Sequence, residues 1–414
     1  MTAPLRILVH DYAGHPFQVQ LSRALARRGH IVLHLHCPSY RTGKGALVRR
    51  PDDPGGFACE GVELGATLAK YSLWKRPLQE LEYARPLIRR MRGFRPDCVV
   101  SANTPLIAQA RFLTACRRER VPFVFWQQDV HGLAMRTILR DRLPFGGAGI
   151  GSLFPAVERR LLRQSDAVVT IAPEFAAVAE SWGVARERLS VIENWAPLDE
   201  LPETERNNAW AREVGVAGKH VFLYSGTLGL KHDPDVLLRL ALHYRERRDV
   251  ALVVVSEGES ANRLATQARE EDLDGLIVLP FQPYERLAEM HGAADVLLVL
   301  LERELASFSV PSKVLTYHCA GRALLGAMPA ENPAARVIER SGGGLVLEPG
   351  DHQAFVAAAD RLLDDDVFRE EMGRRARVYA EANFSADRVA HSFEAVVRHA
   401  SGRSERPHRH SKAR

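Results

Sequence analysis

The chain contains 414 residues, of which 46% are hydrophobic and 26% are charged, a composition typical of globular proteins. This length exceeds what one hydrophobic core usually organises, so two domains of about 200 residues are expected. The net charge of +5 conceals an asymmetry, because residues 1–199 hold 28 basic and 18 acidic side chains whereas residues 200–400 hold 23 and 32. The basic half predicts an anionic partner: phosphate, nucleic acid or a membrane surface.

Several classes of protein are excluded at this stage. No apolar run approaches the ~20 residues that span a bilayer. The first apolar stretch is interrupted by Arg6, so it predicts a strand rather than a signal peptide. The five cysteines are widely spaced and form no C-x-x-C pair, so neither a disulfide framework nor a zinc site is expected. These features predict a cytoplasmic protein without a bound metal ion.

Short β-branched runs alternate with helical patterns along the chain, which predicts parallel β-α-β folding. In the first half, a helix over 18–28 follows the first strand, and the predicted strands cover residues 5–10, 31–36, 97–101, 122–126 and 167–171. In the second half they cover residues 221–225, 251–256, 276–279, 295–300, 323–326 and 345–347. Two such sets predict an α/β protein with two doubly wound, Rossmann-like parallel sheets.

The boundary between the two domains is predicted in the Pro-, Glu- and Asn-rich stretch 196–208. We expect an N-terminal domain over 1–199 and a C-terminal domain over 200–378. Helices over 379–400 follow, and the last of them is predicted over 387–399. The basic tail 401–414 lacks large apolar side chains and is expected to be disordered.

Ligands of open parallel sheets bind beyond the carboxyl ends of the strands, so the turns that follow strands are candidate sites. The first turn contains Gly14 and His15 but no G-x-G-x-x-G, so the nicotinamide dinucleotide fingerprint is missing. These two residues form either a plain strand-to-helix turn or an approach to a phosphate or sugar. Asp129 and His131 follow the strand 122–126 and suit acid/base work, or else a helix cap and a surface histidine.

The first strand of the second half leads into a loop with Gly226, Thr227 and Lys231, one of only seven lysines. Glycines let backbone N–H groups approach an anion, and the lysine adds a charge. The alternative for Lys231 is a solvent-exposed side chain beside a structural turn. Gly258 ends the next strand in a similar turn. Because the loop lacks G-x4-G-K-[ST], ATPase or kinase chemistry is not predicted.

A third candidate anion site lies near Lys313. Ser309 and Pro311 predict a helix start, the serine as its cap and the proline in its first turn. The free amides at this helix start, which includes Ser312, then form a ready anion site next to Lys313. Thr316 lies on the same helix face, within reach of a ligand hydroxyl. No catalytic triad or metal-binding motif is found, so a metal-independent mechanism is expected.

Together these motifs resemble the GT-B glycosyltransferases of family 4, in the branch of capsule, O-antigen and exopolysaccharide enzymes. The resemblance extends over residues 5–400 and rests on the segments 191–195, 224–229, 279–284, 294–296 and 310–321. It implies two Rossmann-like domains that face each other across a cleft, with the C-terminal helices over 379–400 returning to the N-terminal domain. The C-terminal domain would bind a nucleotide-sugar donor, by preference a UDP-sugar. The N-terminal domain would bind a glycan or a polyprenyl-diphosphate-linked acceptor.

The resemblance also assigns roles to the candidate residues. On the donor side it implies that Lys231 touches the diphosphate, that the segment 311–313 cradles the diphosphate and sugar, and that Gly258 admits the nucleotide. In the N-terminal domain it implies that Gly14 faces the transferred sugar and that Asp129 orients the acceptor. Transfer would retain the anomeric configuration without a cofactor. The family's Glu-x7-Glu pair is replaced here by Phe308 and Thr316, so no ribose carboxylate is assigned.

Two segments combine arginines with aromatic and aliphatic side chains, one from Tyr71 to Arg95 and one from Arg136 to Arg163. Such segments predict peripheral attachment to an anionic membrane, here the inner face of the cell membrane. The alternative is ordinary solvated helices. No nucleic-acid recognition module is present, so nucleic-acid binding is not predicted. Two further functions stay open: a nucleotide-sugar 2-epimerase of the same fold, and a non-catalytic subunit or glycan-binding partner.

Overall fold

The computed structural model describes residues 3–40, 44, 47–63, 75–142, 147–229, 232–303 and 309–402. The chain divides into two compact units. The N-terminal unit consists of Met1–Glu193 together with Ala386–Arg414, and the C-terminal unit is Asn194–Ser385. Each unit is built on its own parallel sheet with helical crossovers, so the predicted fold class of two Rossmann-like α/β domains is confirmed.

The N-terminal unit contains a parallel sheet with the strand order β3-β2-β1-β4-β5-β6-β7. Its strands are β1 (Arg6–Asp11), β2 (Ile31–His36), β3 (Phe57–Gly61), β4 (Cys98–Ala102), β5 (Phe123–Gln127), β6 (Ala167–Thr170) and β7 (Leu189–Val191). Its first helices are α1 (Pro16–Arg27), α2 (Lys75–Phe94), α3 (Leu106–Arg118), α4 (His131–Arg142), α5 (Gly147–Gln164) and α6 (Pro173–Ser181). The edge strands β3 and β7 were not predicted, because they are short, partly exposed and lack a continuous apolar run.

The two faces of this sheet pack against different helices, because successive strand residues point to opposite faces. Phe125 belongs to a core that includes Met91 of α2, Phe112 of α3 and Leu161 of α5. Its neighbour Trp126 points the other way. The strand thereby separates a layer formed by α2, α3 and α5 from the helices on the opposite face.

The C-terminal unit contains a parallel sheet with the strand order β10-β9-β8-β11-β12-β13. Its strands are β8 (His220–Ser225), β9 (Val250–Val255), β10 (Leu276–Leu279), β11 (Val296–Leu300), β12 (Ala323–Ala327) and β13 (Gly344–Leu347), all close to their predicted positions. Its helices are α7 (Ala209–Val214), α8 (Asp235–His243), α9 (Glu259–Glu270), α10 (Leu287–Gly292), α11 (Lys313–Cys319), α12 (Pro333–Ser341), α13 (His352–Asp364) and α14 (Asp366–Asn383).

The last described helix, α15 (Ala386–Gly402), packs on α1, β4 and β5 of the N-terminal unit. The ring of its buried Phe393 lies 4.6 Å from the ring of Trp126. The end of the predicted basic tail, residues 403–414, lies outside the described residues. Within the described part of the chain, no helix has the length and apolar content needed to cross a bilayer.

Candidate functional site

The strand order of the C-terminal unit reverses between β8 and β11, because successive strands are added outward from β8 on one side and from β11 on the other. Ligands of doubly wound sheets bind at such a reversal, beyond the carboxyl ends of the strands. Gly226 and Thr227 follow β8 directly, and α11 follows β11 along the chain. The candidate donor residues of the sequence are therefore found where the topology favours binding.

Lys313, the first residue of α11, lies directly against the turn after β8. Its Nζ atom is 3.5 Å from the centre of the Tyr224 ring. A Cβ atom built on Gly226 would lie 3.3 Å from both Cε and Nζ of Lys313, and the φ of Gly226 is +127°. Glycine is thus required twice at this position, for its backbone conformation and for the approach of the lysine.

The electrostatics of this contact are unusual. The Nζ of Lys313 is buried and has no hydrogen-bond partner among the described residues. Burial lowers the pKa of this lysine well below its ordinary value. His291 lies in the same cluster, and burial, followed by the charge of Lys313, lowers its pKa to about 3. The cluster therefore holds an amine in a desolvated environment, where a bound anion would favour the protonated, cationic form of Lys313.

Tyrosine hydroxyls fix the turn against which Lys313 packs. Tyr317 of α11 accepts a hydrogen bond from the Ser225 amide at 2.9 Å and donates one to the Ser225 carbonyl at 3.2 Å. The hydroxyl of Tyr224 donates to the Thr227 carbonyl at 2.8 Å. These tyrosines and His291 are not among the site residues predicted from the sequence. The only indication of their role in the sequence is their position in or near the segments that carry the family resemblance, because their contacts join residues that are distant along the chain.

The remaining donor-side residues that the structure describes make no close contact with the Lys313 amine that is comparable to that of Gly226. Gly258 has a φ of +109° and precedes α9, and a Cβ atom there would meet no atom of the described residues within 4 Å. The hydroxyl of Thr316 donates to the Lys313 carbonyl at 3.0 Å, within its own helix. Lys231 and Phe308 lie outside the described residues.

The predicted start of the helix near Lys313 is wrong by two residues. The helix begins at Lys313, and Ser312 occupies the N-cap position without a side-chain capping bond. Ser309 is not the cap, and its carbonyl accepts a hydrogen bond from the buried Asn332 side chain at 2.9 Å. Pro311 and Ser312 are half-buried and precede the helix. The lysine side chain, rather than a helix start at Pro311, is the marked feature of this segment.

The N-terminal unit has its own topological reversal, between β1 and β4. Here the buried Asp11 carboxylate accepts hydrogen bonds from the amides of Ala13 (3.0 Å) and His15 (2.5 Å) and from the side chain of Asn103 (3.1 Å). Burial is the main reason why the pKa of Asp11 is raised. Gly14, at a φ of +78°, lies inside the turn that Asp11 holds. Gly14 and His15 are among the site residues predicted from the sequence, whereas Asp11 and Asn103 are not.

Asp129 and His131 follow β5, at the same carboxyl edge of this sheet, and both are half-buried. Helix α4 begins at His131. Gly14 and His15 follow β1, and β4 lies between these two strands in the sheet. The sequence-predicted residues thus form two groups, one at the carboxyl edge of each unit.

A pair of Rossmann-like domains, each with candidate ligand-binding residues at its carboxyl edge, defines the GT-B class of fold. The family model described as a glycosyl transferase 4-like domain matches residues 15–195. The model described as glycosyl transferases group 1 matches residues 207–379. The two matches together span most of the chain, which belongs to the GT-B glycosyltransferases of family 4.

Individual relatives agree with this assignment. The chain is 26% identical over 315 residues to WcaI of Escherichia coli K12, which is assigned as a glycosyl transferase of colanic acid biosynthesis, and the match covers 71% of this chain and 76% of WcaI. It is 26% identical over 316 residues to WbjE of Pseudomonas aeruginosa, assigned as a glycosyltransferase, with coverage of 74% and 76%. The crystal structure of Anabaena Alr3699/HepE with UDP-glucose has the same fold, with a TM-score of 0.69, 15% identity and coverage of 95% and 99%.

Proposed function

We propose that the protein is a retaining, metal-independent enzyme that transfers a hexosyl or N-acetylhexosaminyl group from a nucleoside-diphosphate sugar. The acceptor is a glycan or a polyprenyl-diphosphate-linked glycan of a cell-surface polysaccharide. The observation that carries this proposal is the buried Nζ of Lys313, which lacks a partner among the described residues and lies beside Gly226. The assignment of WcaI to colanic acid biosynthesis supports a role in polysaccharide biosynthesis. The UDP-glucose complex of HepE supports a UDP-sugar as the donor.

On the donor side, the leaving diphosphate requires positive charge and N–H donors. Lys313 supplies a cation in a site of low dielectric, where its attraction for phosphate is strongest. Lys231, in the loop that begins at Gly226, is proposed as the second cation. The backbone amide of Thr227 is proposed to complete the anion site, since the Gly226 amide donates to the Val255 carbonyl at 3.0 Å. These groups together take the place of a metal ion and a cofactor.

On the acceptor side, Asp129 and His131 are proposed to orient the attacking hydroxyl. Gly14 and His15 are proposed to lie against the transferred sugar. The acceptor oxygen forms its bond to the anomeric carbon on the face from which the diphosphate oxygen departs. The bond from that carbon to the diphosphate oxygen breaks, and the hydroxyl proton passes to the departing diphosphate. Configuration is therefore retained.

A panel of UDP-, GDP- and dTDP-sugars, incubated with the protein in EDTA and without acceptor, tests this function. Slow release of free sugar with retained configuration supports the transferase. Formation of the 2-epimer supports the isomerase, and tight nucleotide binding without turnover supports the non-catalytic subunit. Lys231→Ala should abolish turnover, and unchanged activity in that variant would remove its proposed role.

We also propose that the layer formed by α2, α3 and α5 docks on an anionic membrane. A groove of about 620 Å³ between α2 and α3 is lined by five arginines: Arg85, Arg89, Arg92, Arg111 and Arg118. Among the described residues, Arg85, Arg89 and Arg118 have no hydrogen-bond or ion-pair partner. Helix α5, which packs on α3, exposes Ile150, Leu153 and Val157 at helical spacing. Guanidinium groups beside an apolar stripe suit lipid phosphates and acyl chains.

Vesicle sedimentation tests this attachment. The protein should sediment with phosphatidylglycerol vesicles and stay in the supernatant with phosphatidylcholine vesicles. The triple variant Arg85→Gln, Arg89→Gln and Arg118→Gln should lose the difference. A control with the same net charge replaces Arg239, Arg248 and Arg269, three exposed arginines of the C-terminal unit. Equal sedimentation of the two triple variants would show that only net charge matters.

A further inference from the structure

Glu158 is a buried carboxylate that none of the roles above uses. It lies on α5 and is 0% exposed. Its Oε2 accepts a hydrogen bond from the Gly132 amide at 2.6 Å, and its Oε1 accepts one from Nε2 of Gln127 at 3.1 Å. Gln127 ends β5 and Gly132 lies in the first turn of α4. One carboxylate therefore holds both ends of the short segment that carries Asp129 and His131.

The packing of α4 on α5 brings the segment within reach of this carboxylate. A Cβ atom on Gly132 would lie 2.7 Å from Cα and 2.8 Å from N of Pro155, and 2.9 Å from Oε2 of Glu158. A side chain at this position would separate the helices and lengthen the hydrogen bond from the amide. Gly132 and Glu158 thus act together to fix the position of the start of α4.

We propose that Glu158 is a positioning residue: its ionised carboxylate holds Asp129 and His131 in the geometry that receives the acceptor hydroxyl. This inference rests on the proposed function of those two residues. A carboxylate accepts N–H bonds more strongly than a carboxylic acid, because the ionised form carries the full charge on its oxygens. When Glu158 is protonated, one of its oxygens carries a hydrogen, and the hold on the segment weakens.

The surroundings of Glu158 place this change near neutral pH. Burial is the largest effect and raises its pKa to about 7; the bonds from Gly132, Gln127 and the His131 backbone act in the opposite direction, and Asp129 raises it further. The other described charged or titratable side chains on the two helices packed against α5 are His131, Arg136 and Arg140 on α4 and Arg111, Cys116, Arg117 and Arg118 on α3. Above pH 7 the carboxylate is ionised and the segment is held, and below pH 7 the hold is lost.

The first test requires no turnover. Hydrogen–deuterium exchange of the peptide spanning residues 127–139, corrected for the intrinsic rate, should show less protection at pH 6 than at pH 8. Glu158→Gln should show the lower protection at both pH values. Glu180→Gln, which changes an exposed glutamate on α6, should behave as the wild type. Protection that is independent of pH in the wild type would overturn the proposal, whatever the activity of the protein.

The second test uses the pH profile with the donor and acceptor that support turnover. The wild-type kcat should fall as the pH drops below about 7, while the KM for the donor stays constant. Glu158→Gln should lower kcat by about 10- to 100-fold, the cost of a misplaced reacting group. It should also remove the acidic limb of the profile, which is the fall of kcat below pH 7. Gln127→Met removes one bond to the ionised form and should move the limb to higher pH. A limb that persists in Glu158→Gln, or that does not move in Gln127→Met, contradicts the positioning role.

The two tests distinguish failure of the proposed function from failure of the positioning role of Glu158. A protein that shows the pH-dependent exchange but turns over no nucleotide sugar would refute the proposed function and leave the anchoring of the segment intact. A protein that transfers sugar with an unperturbed profile in both variants would keep the function and refute the role of Glu158. Circular dichroism of each variant establishes that it is folded before either result is interpreted.

Discussion

Replacement of Lys313 by Met separates the stability of the C-terminal unit from its function. The amine is buried without a hydrogen-bond partner among the described residues, a situation that costs about 1–3 kcal/mol. Its contact with the Tyr224 ring, 3.5 Å from the ring centre, returns about 0.5–2 kcal/mol. Methionine fills a similar volume without a polar atom. We therefore expect Lys313→Met to raise the free energy of unfolding by about 1 kcal/mol, measured by urea denaturation.

The same substitution should weaken nucleotide binding. A hydrogen bond between an ammonium group and phosphate contributes about 1.5–3 kcal/mol, so the Kd for UDP should rise by roughly 10- to 100-fold. Because burial lowers the pKa of Lys313 in the free protein, binding of the diphosphate should also be accompanied by proton uptake. Isothermal titration in two buffers of different ionisation enthalpy measures both quantities.

Lys219→Met is the matched control, because Lys219 lies before β8, at the opposite end of the strand from the candidate site. It should change neither the affinity for UDP nor the proton uptake. A Lys313→Met protein that is less stable than the wild type and binds UDP with unchanged affinity would refute the reasoning. In that case the lysine would be a structural residue whose burial is compensated by the ring contact.

Further predictions concern the turn, the pH dependence of stability and the last helix. Gly226→Ala forces a side chain into a φ of +127° and against Lys313, so it should cost about 1–3 kcal/mol by urea denaturation and weaken UDP binding. His10 and His36 have pKa values lowered by burial to about 3 and about 4, so the neutral forms stabilise the fold above pH 6.5. As the pH falls from 6.5 toward 4, stability should decrease by up to about 1.4 kcal/mol per pH unit for each histidine. Phe393→Ala removes a fully buried ring and should cost about 3–5 kcal/mol in thermal unfolding.

Each of these predictions has a control in the chain. Gly229→Ala should cost less than Gly226→Ala, because among the described residues its Cβ atom would meet only Thr227, at 3.8 Å. Val367, 79% exposed, should tolerate alanine where Phe393 does not. Glu158 affects stability with the opposite sign between pH 4.5 and 7, since burial raises its pKa, so Glu158→Gln should show the steeper loss toward acid. Equal costs for either pair, or stability independent of pH between 4 and 6.5, would contradict the structural reasoning.

The sequence identified the elements whose pattern is local and continuous. Every strand with an unbroken apolar run was placed within a few residues, because a strand buried on both faces must be apolar at successive positions. The three consecutive aspartates 364–366 indicate an acidic turn between helices, and in the structure the Asp365 side chain caps α14 by accepting from the Phe368 amide at 2.9 Å. The edge strands β3 and β7 escaped, since one exposed face removes the apolar signal.

The site was predicted less completely, because its decisive contacts join residues that are distant in sequence. Lys313 was selected as part of a helix start, but its contact with Tyr224 spans about ninety positions and follows from the pairing of β8 with β11. Glu158 lies in an ordinary amphipathic helix and becomes notable only when α5 packs on α4. Sequence patterns indicate which strand ends carry suitable residues, and the strand order decides which of them meet.

The proposed function requires that the C-terminal unit activate a nucleotide sugar for transfer with retention and without a metal ion. Proton NMR of the sugar first released from UDP-glucose in the presence of EDTA tests it most directly. We expect the α-anomer to appear first and its rate of release to fall in Lys313→Met. Initial release of the β-anomer, or release that requires a divalent cation, would contradict it.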